Sequence, residues 1–81
     1  MTEKRQINLR QMYPGQSGRV MQVAGGIGMV NRLNALGIRP GKKITKVNSM
    51  LMRGPVTVQL GGTRLAIGFG MANRILVEIE Q

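Results

Sequence analysis

Cysteine, histidine and tryptophan are all missing from this sequence of 81 residues, and it has one tyrosine and one phenylalanine. Without cysteine there is no disulfide and no thiol nucleophile; without histidine the commonest general base and metal ligand is gone. Acids are nearly as scarce, with Glu3, Glu78 and Glu80 set against 12 Lys and Arg for a formal net charge of +9. A structural or catalytic metal site needs several such ligands in one place. No apolar stretch approaches the ~20 residues of a bilayer-spanning helix. The opening MTEKRQIN carries charge where a secretory signal carries an apolar run. The expectation is a soluble intracellular chain that is not an enzyme, with no cofactor and no catalytic or metal-ligating residue to assign.

What is present suffices for one small domain. Hydrophobic residues make up 42% of the chain, and a domain of this size buries roughly 60% of its unfolded surface. The positive balance favours encounters with nucleic acid, an anionic membrane face or an acidic protein. Along the sequence, however, the basic residues are scattered, with Lys4-Arg5 and Lys42-Lys43 the densest pairs. That spacing reads as a solvated face rather than a footprint.

Residues 1–8 are expected to be a flexible segment, and 9–81 a single domain. Pro14-Gly15 is a turn signal. Residues 18–24 read as a strand with apolar Val20, Met21 and Val23, imperfectly alternating and therefore open to a bulge. Ala24-Gly25-Gly26-Ile27-Gly28 lacks the ordered spacing of a phosphate-binding loop and reads as a flexible turn. A short helix follows over about 29–36, its stripe formed by Met29, Leu33 and Leu36 with Val30 alongside. Gly37 is placed to close it in the left-handed conformation, with Ile38 folding back onto the stripe.

A strand over 43–48 carries Ile44 and Val47. Val56-Thr57-Val58-Gln59-Leu60 alternates strictly, Gly61-Gly62 supplies a hairpin in which both residues are expected at positive φ, and Leu65 and Ile67 continue the alternation. At most one helical turn falls at 71–74, and Ile75, Val77 and Ile79 mark a last strand. About five strands with regular turns and one short helix predict a mainly β fold, a small closed antiparallel barrel.

Glu78 and Glu80 share one side of the last strand, but the apolar residues between and before them are assigned to the core, so both acids point outward. Met21, Met29 and Met71 suit core filling. Met50-Leu51-Met52, flanked by Asn48, Ser49, Arg53 and Gly54, suits it less well: this loop either tucks over the barrel mouth or forms a patch that binds a partner. One tyrosine and one phenylalanine, on different turns, give no base-stacking platform, so no specific nucleic-acid readout is expected.

GIGMVNRLNALGIRPG, followed by GPVTVQLGGTRLAIGFGMANRILVEI, resembles the FeoA family of accessory proteins of ferrous iron uptake. The likeness runs from about Leu9 to Glu80 and rests on the order and spacing of Arg32-Leu33, Leu36-Gly37-Ile38, Pro40-Gly41, the segment Gly62 to Ile67, and the ending from Ala72 through Ile75 to Val77. It implies an SH3-like barrel, similar to the C-terminal domain of iron-dependent repressors of the DtxR type. It also implies a cytoplasmic regulator that reaches the membrane face only through FeoB, the transporter with a cytoplasmic GTP-binding domain. The loop before Pro55 departs from the family's usual Pro and small residues. On this reading the partner-binding candidates are Met50, Leu51 and Met52 for apolar contact and Arg39, Arg53 and Arg64 for charge. Arg53 is also the exposed candidate for an arginine supplied in trans to the GTP-binding domain. Self-association through the apolar loop stays open. The alternative is a basic barrel that binds nucleic acid without sequence preference.

Overall fold

A computed structural model of the chain describes residues 3–49 and 54–80. The described residues form β1 (Lys4–Asn8), a 3₁₀ turn (Leu9–Gln11), β2 (Ser17–Val23), α1 (Ile27–Ala35), β3 (Lys43–Ser49), β4 (Val56–Leu60), β5 (Thr63–Ile67), α2 (Phe69–Ala72) and β6 (Ile75–Glu80). The strands make one antiparallel sheet in the order β1-β6-β2-β3-β4-β5. The fold is mainly β, as expected, with a sixth strand added. Lys4–Asn8, within the segment expected to be flexible, pairs with β6 from Lys4 opposite Glu80 to Asn8 opposite Leu76. Its backbone groups are satisfied by that ladder and Ile7 is buried, which holds the segment in place despite its polar composition. Among the described residues the ladder does not close, since β1 and β5 end the order without pairing. The sheet is thus a curled, barrel-like layer, not a sealed cylinder.

Alternation puts Ile7, Val20, Ile44, Val58, Val77 and Ile79 inward, where they meet Leu33 from α1 in one core. Gly18 lies on the same inner side. A Cβ there would stand 2.7 Å from Glu78 O and crowd the side chains of Val77 and Ile79. Glycine is what lets β6 pass so close to β2.

Helix α1 ends as its sequence suggests. Gly37 takes φ 96°, its N–H donates to Asn34 O at 3.0 Å, and Ile38 N–H donates to Leu33 O at 3.0 Å. This is the paired bond pattern of a Schellman closure, and both Leu33 and Ile38 are fully buried. The turn Arg39-Pro40-Gly41-Lys42 then returns the chain to the sheet, with Gly41 N–H donating to Val20 O at 2.7 Å.

Several local expectations differ. α1 starts at Ile27, earlier than its stripe implies, and Leu36 is 45% exposed because it sits on the closing turn. Met21 falls where the β2–β6 register shifts, and is turned outward, 38% exposed. In β3 a second shift between Lys46 and Asn48 breaks the alternation. Alternation before that shift turns Ile44 and Lys46 inward, and Val47, at the shift itself, is only half-buried. At the β4–β5 hairpin only Gly61 takes a positive φ, 59°; one positive first residue suits a type II′ turn, not the type I′ first expected.

Candidate functional site

The outer face of the sheet collects polar side chains from sequence segments far apart. Arg19 on β2 is the Cα partner of both Glu78 on β6 and Lys43 on β3. One step along, Ser17 pairs with Thr45, Thr45 with Gln59, and Gln59 with Arg64 on β5. Ser17 Oγ and Thr45 Oγ1 share a hydrogen bond of 2.7 Å, and Arg64 Nε donates to Gln59 Oε1 at 3.3 Å. Two adjoining grooves run across this face. One, of about 380 Å³, is lined by Lys4, Ser17, Gly18, Arg19, Lys43 and Glu78. The other, of about 370 Å³, is lined by Lys43, Thr45, Gln59 and Gly61.

The charges here are unbalanced. Lys4 Nζ stands 3.9 Å from Glu78 Oε1, a long and exposed pair of little energetic weight. Arg19 Nη1 donates to Gly41 O at 3.2 Å. Arg19 and Lys43 face each other as like charges, an arrangement that costs stability across a strand pair. Neither is ion-paired among the described residues.

The inner face holds a cation under different conditions. Lys46 is 2% exposed, and its ammonium donates to Arg10 O at 2.9 Å and Met12 O at 2.6 Å. These carbonyls lie at the end of the 3₁₀ turn, which Asn8 and Gln11 open with a reciprocal capping box, each side chain accepting from the other's N–H at 3.0 Å. Burial, and secondarily the charge of Arg10, lower the Lys46 pKa from 10.5. Lys46 therefore ties the β1–β2 connection to β3 and serves the fold.

Of the residues singled out in the sequence, Met50, Leu51, Met52 and Arg53 lie outside the described residues. Arg39 is exposed, and its Nε donates to Asn34 O at 3.2 Å, covering a carbonyl of the last turn of α1. Arg64 joins the outer face. Lys4, Arg19 and Lys43 were missed, because only strand register brings them together. Glu78 does point outward, and among the described residues no three His, Cys, Asp or Glu side chains stand together as a metal site would require. The Arg10 guanidinium lies 5.1 Å from the centre of the Phe69 ring, which occupies one of the two aromatics a base could stack on. No described helix is long and apolar enough to cross a membrane.

A six-stranded antiparallel sheet with Leu33 of helix α1 packed into its core is the architecture of a small SH3-like domain. A family model, the FeoA domain, matches residues 7–79, and the chain belongs to the FeoA family. It is similar to a protein of Methanocaldococcus jannaschii named as an Fe(2+) transport protein A, 34% identical over 73 residues that cover 83% of this chain and 87% of that one. A crystal structure of an iron uptake regulatory protein, FeoA, superposes with a TM-score of 0.85 at 35% identity, covering 95% of this chain and all of that one (100%). A FeoA from Stenotrophomonas maltophilia, solved with zinc and described as a candidate activating factor of ferrous iron transport, gives a TM-score of 0.75 at 27% identity over 88% of each chain. A manganese-dependent transcriptional repressor shares the fold alone, at 17% identity and a TM-score of 0.85, covering 95% of this chain and 43% of the repressor. The described residues do not supply a ligand set for zinc of the His, Cys, Asp or Glu kind.

Proposed function

We propose that the chain is a non-enzymatic accessory protein of ferrous iron uptake, acting in the cytoplasm by binding the cytoplasmic part of a FeoB-type transporter and reaching the membrane only through it. The match to the FeoA domain across residues 7–79 carries this reading. The geometry supports it, because the described chemistry lies on the exterior as cations and hydroxyls, suited to contact and not to bond-making. Met50, Leu51 and Met52 would supply apolar contact, with Arg39, Arg53 and Arg64 meeting acidic groups of the partner.

The test is retention of the transporter's soluble cytoplasmic domain on the immobilised chain. Wild-type protein retains it, and Leu51→Asp weakens retention. Retention unchanged by Leu51→Asp removes the loop from the contact; no retention by the wild type overturns the reading itself.

A further inference from the structure

We propose that the outer cationic row centred on Arg19 and Lys43 is a docking site for an extended acidic segment of a partner protein. The inference rests on the reading that the chain works by protein contact, and places that contact on residues the family-based candidates do not include.

Two like charges set directly opposite one another on neighbouring strands are a net cost to the isolated fold. Lys43 and Arg19 stand that way, and Glu78, the Cα partner of Arg19 on β6, has its carboxylate 3.9 Å from Lys4 Nζ. An anionic ligand removes that cost. Cations along the sheet order fall on β1 (Lys4), β2 (Arg19), β3 (Lys43) and β5 (Arg64). Arg19 and Lys43 share one register. Arg64 and Lys4 lie two residues along, Arg64 level with Ser17 and Thr45 and Lys4 level with Glu80. At about 4.8 Å per strand this band, two registers wide, runs about 24 Å along the surface, the reach of about seven extended residues. Hydroxyls of Ser17 and Thr45 lie between the cations and offer hydrogen bonds to a backbone laid across them.

The chemistry of the row selects among polyanions. A nucleic acid presents an unbroken line of phosphates, which Glu78 would repel from the middle of the groove it lines. No aromatic side chain lines either groove to hold a base. A peptide has no such difficulty: it can set carboxylates against Arg19 and Lys43 and an amide or hydroxyl donor against Glu78.

The test uses the full chain and a fluorescein-labelled heptapeptide of alternating glutamate and serine, followed by anisotropy at about 50 mM salt, where exposed charges are weakly screened. The wild type binds it. Arg19→Glu with Lys43→Glu weakens binding by about tenfold or more, while Arg32→Glu with Arg74→Glu, exposed residues outside the row and an equal change in charge, leaves most of it. Circular dichroism checks folding, and Arg19→Gln with Lys43→Gln carries the comparison should the reversed pair not fold. Equal loss in both pairs reduces the effect to net charge and overturns the proposal. So does absence of binding, or tighter binding of a duplex oligonucleotide or a phosphatidylserine vesicle through the same residues. Retention of the transporter domain with no peptide binding overturns this proposal and leaves the transporter reading standing. Peptide binding with no retention of that domain by the wild type does the reverse.

Discussion

Lys43 and Lys46 lie on the same strand, one side chain turned out of the sheet and one turned in. Lys46 is enclosed, gives two hydrogen bonds to backbone carbonyls and locks a turn to the sheet. Lys43 is exposed, faces Arg19 and makes no side-chain hydrogen bond or ion pair among the described residues. The inner cation is fully used by the fold, whereas the outer one is left available. The same split divides the whole sheet: inward positions are fixed by packing and outward positions carry charge with little structural purpose. Substitutions on the two faces should therefore separate stability from binding.

The largest effect is expected at the innermost crowded point. Gly18→Ala forces a methyl against Glu78 O and two core side chains, and should lower the free energy of unfolding in urea by about 3 kcal/mol, the upper end for overpacking. Gly62→Ala, where the added Cβ meets nothing within 4 Å, should change it by less than about 0.5 kcal/mol. Equal effects would mean that β6 does not press on β2.

Next comes Lys46→Met, which fills the same space but leaves two carbonyls without a donor. Unsatisfied groups cost about 1–3 kcal/mol; loss of the buried charge offsets part of that, so a net destabilisation near about 1 kcal/mol is expected at pH 7. The pH dependence sharpens this. Because the folded state lowers the Lys46 pKa from 10.5, the unfolded chain binds more protons in that window. The contribution to stability then rises as pH climbs through the folded value toward 10.5. Urea midpoints measured from pH 7 to 10.5 should rise less in Lys46→Met than in wild type. An identical rise in both would show that Lys46 is not the group responsible.

The smallest effect on stability belongs to the outer face. Lys43→Ala should move the unfolding free energy by no more than about 0.5 kcal/mol, and toward greater stability, since it relieves the repulsion with Arg19. A loss above about 1 kcal/mol would place Lys43 with Lys46 as a structural residue and erase the contrast between the faces.

Much of the fold was legible because its signals are local. The closure of α1 by Gly37 and Ile38, the strict alternation of Val56 to Leu60 and the hairpin glycines each depend on neighbouring residues, and each formed. Strand β1 was not legible: Lys4-Arg5-Gln6 is polar, and only the long-range ladder to β6 makes it a strand. Its end did have a local sign, the Asn8 to Gln11 spacing of a capping box, which the surrounding polarity concealed. The inward turn of Lys46 follows from plain alternation after Ile44, but Val47 masked it by reading as the apolar member, and the register shift that sets Val47 aside depends on β4. The outer row was hidden for the same reason. Arg19 and Lys43 look scattered in sequence, and register alone makes them neighbours.

The most direct test of the central claim, that this protein works by contact through its exterior, is sedimentation velocity on an equimolar mixture of the full chain and the transporter's cytoplasmic domain. A single faster boundary containing both proteins is expected, dissociated by raised salt as exposed charge contacts are screened. Two boundaries at the speeds of the separate proteins, unchanged at the lowest salt, would contradict it.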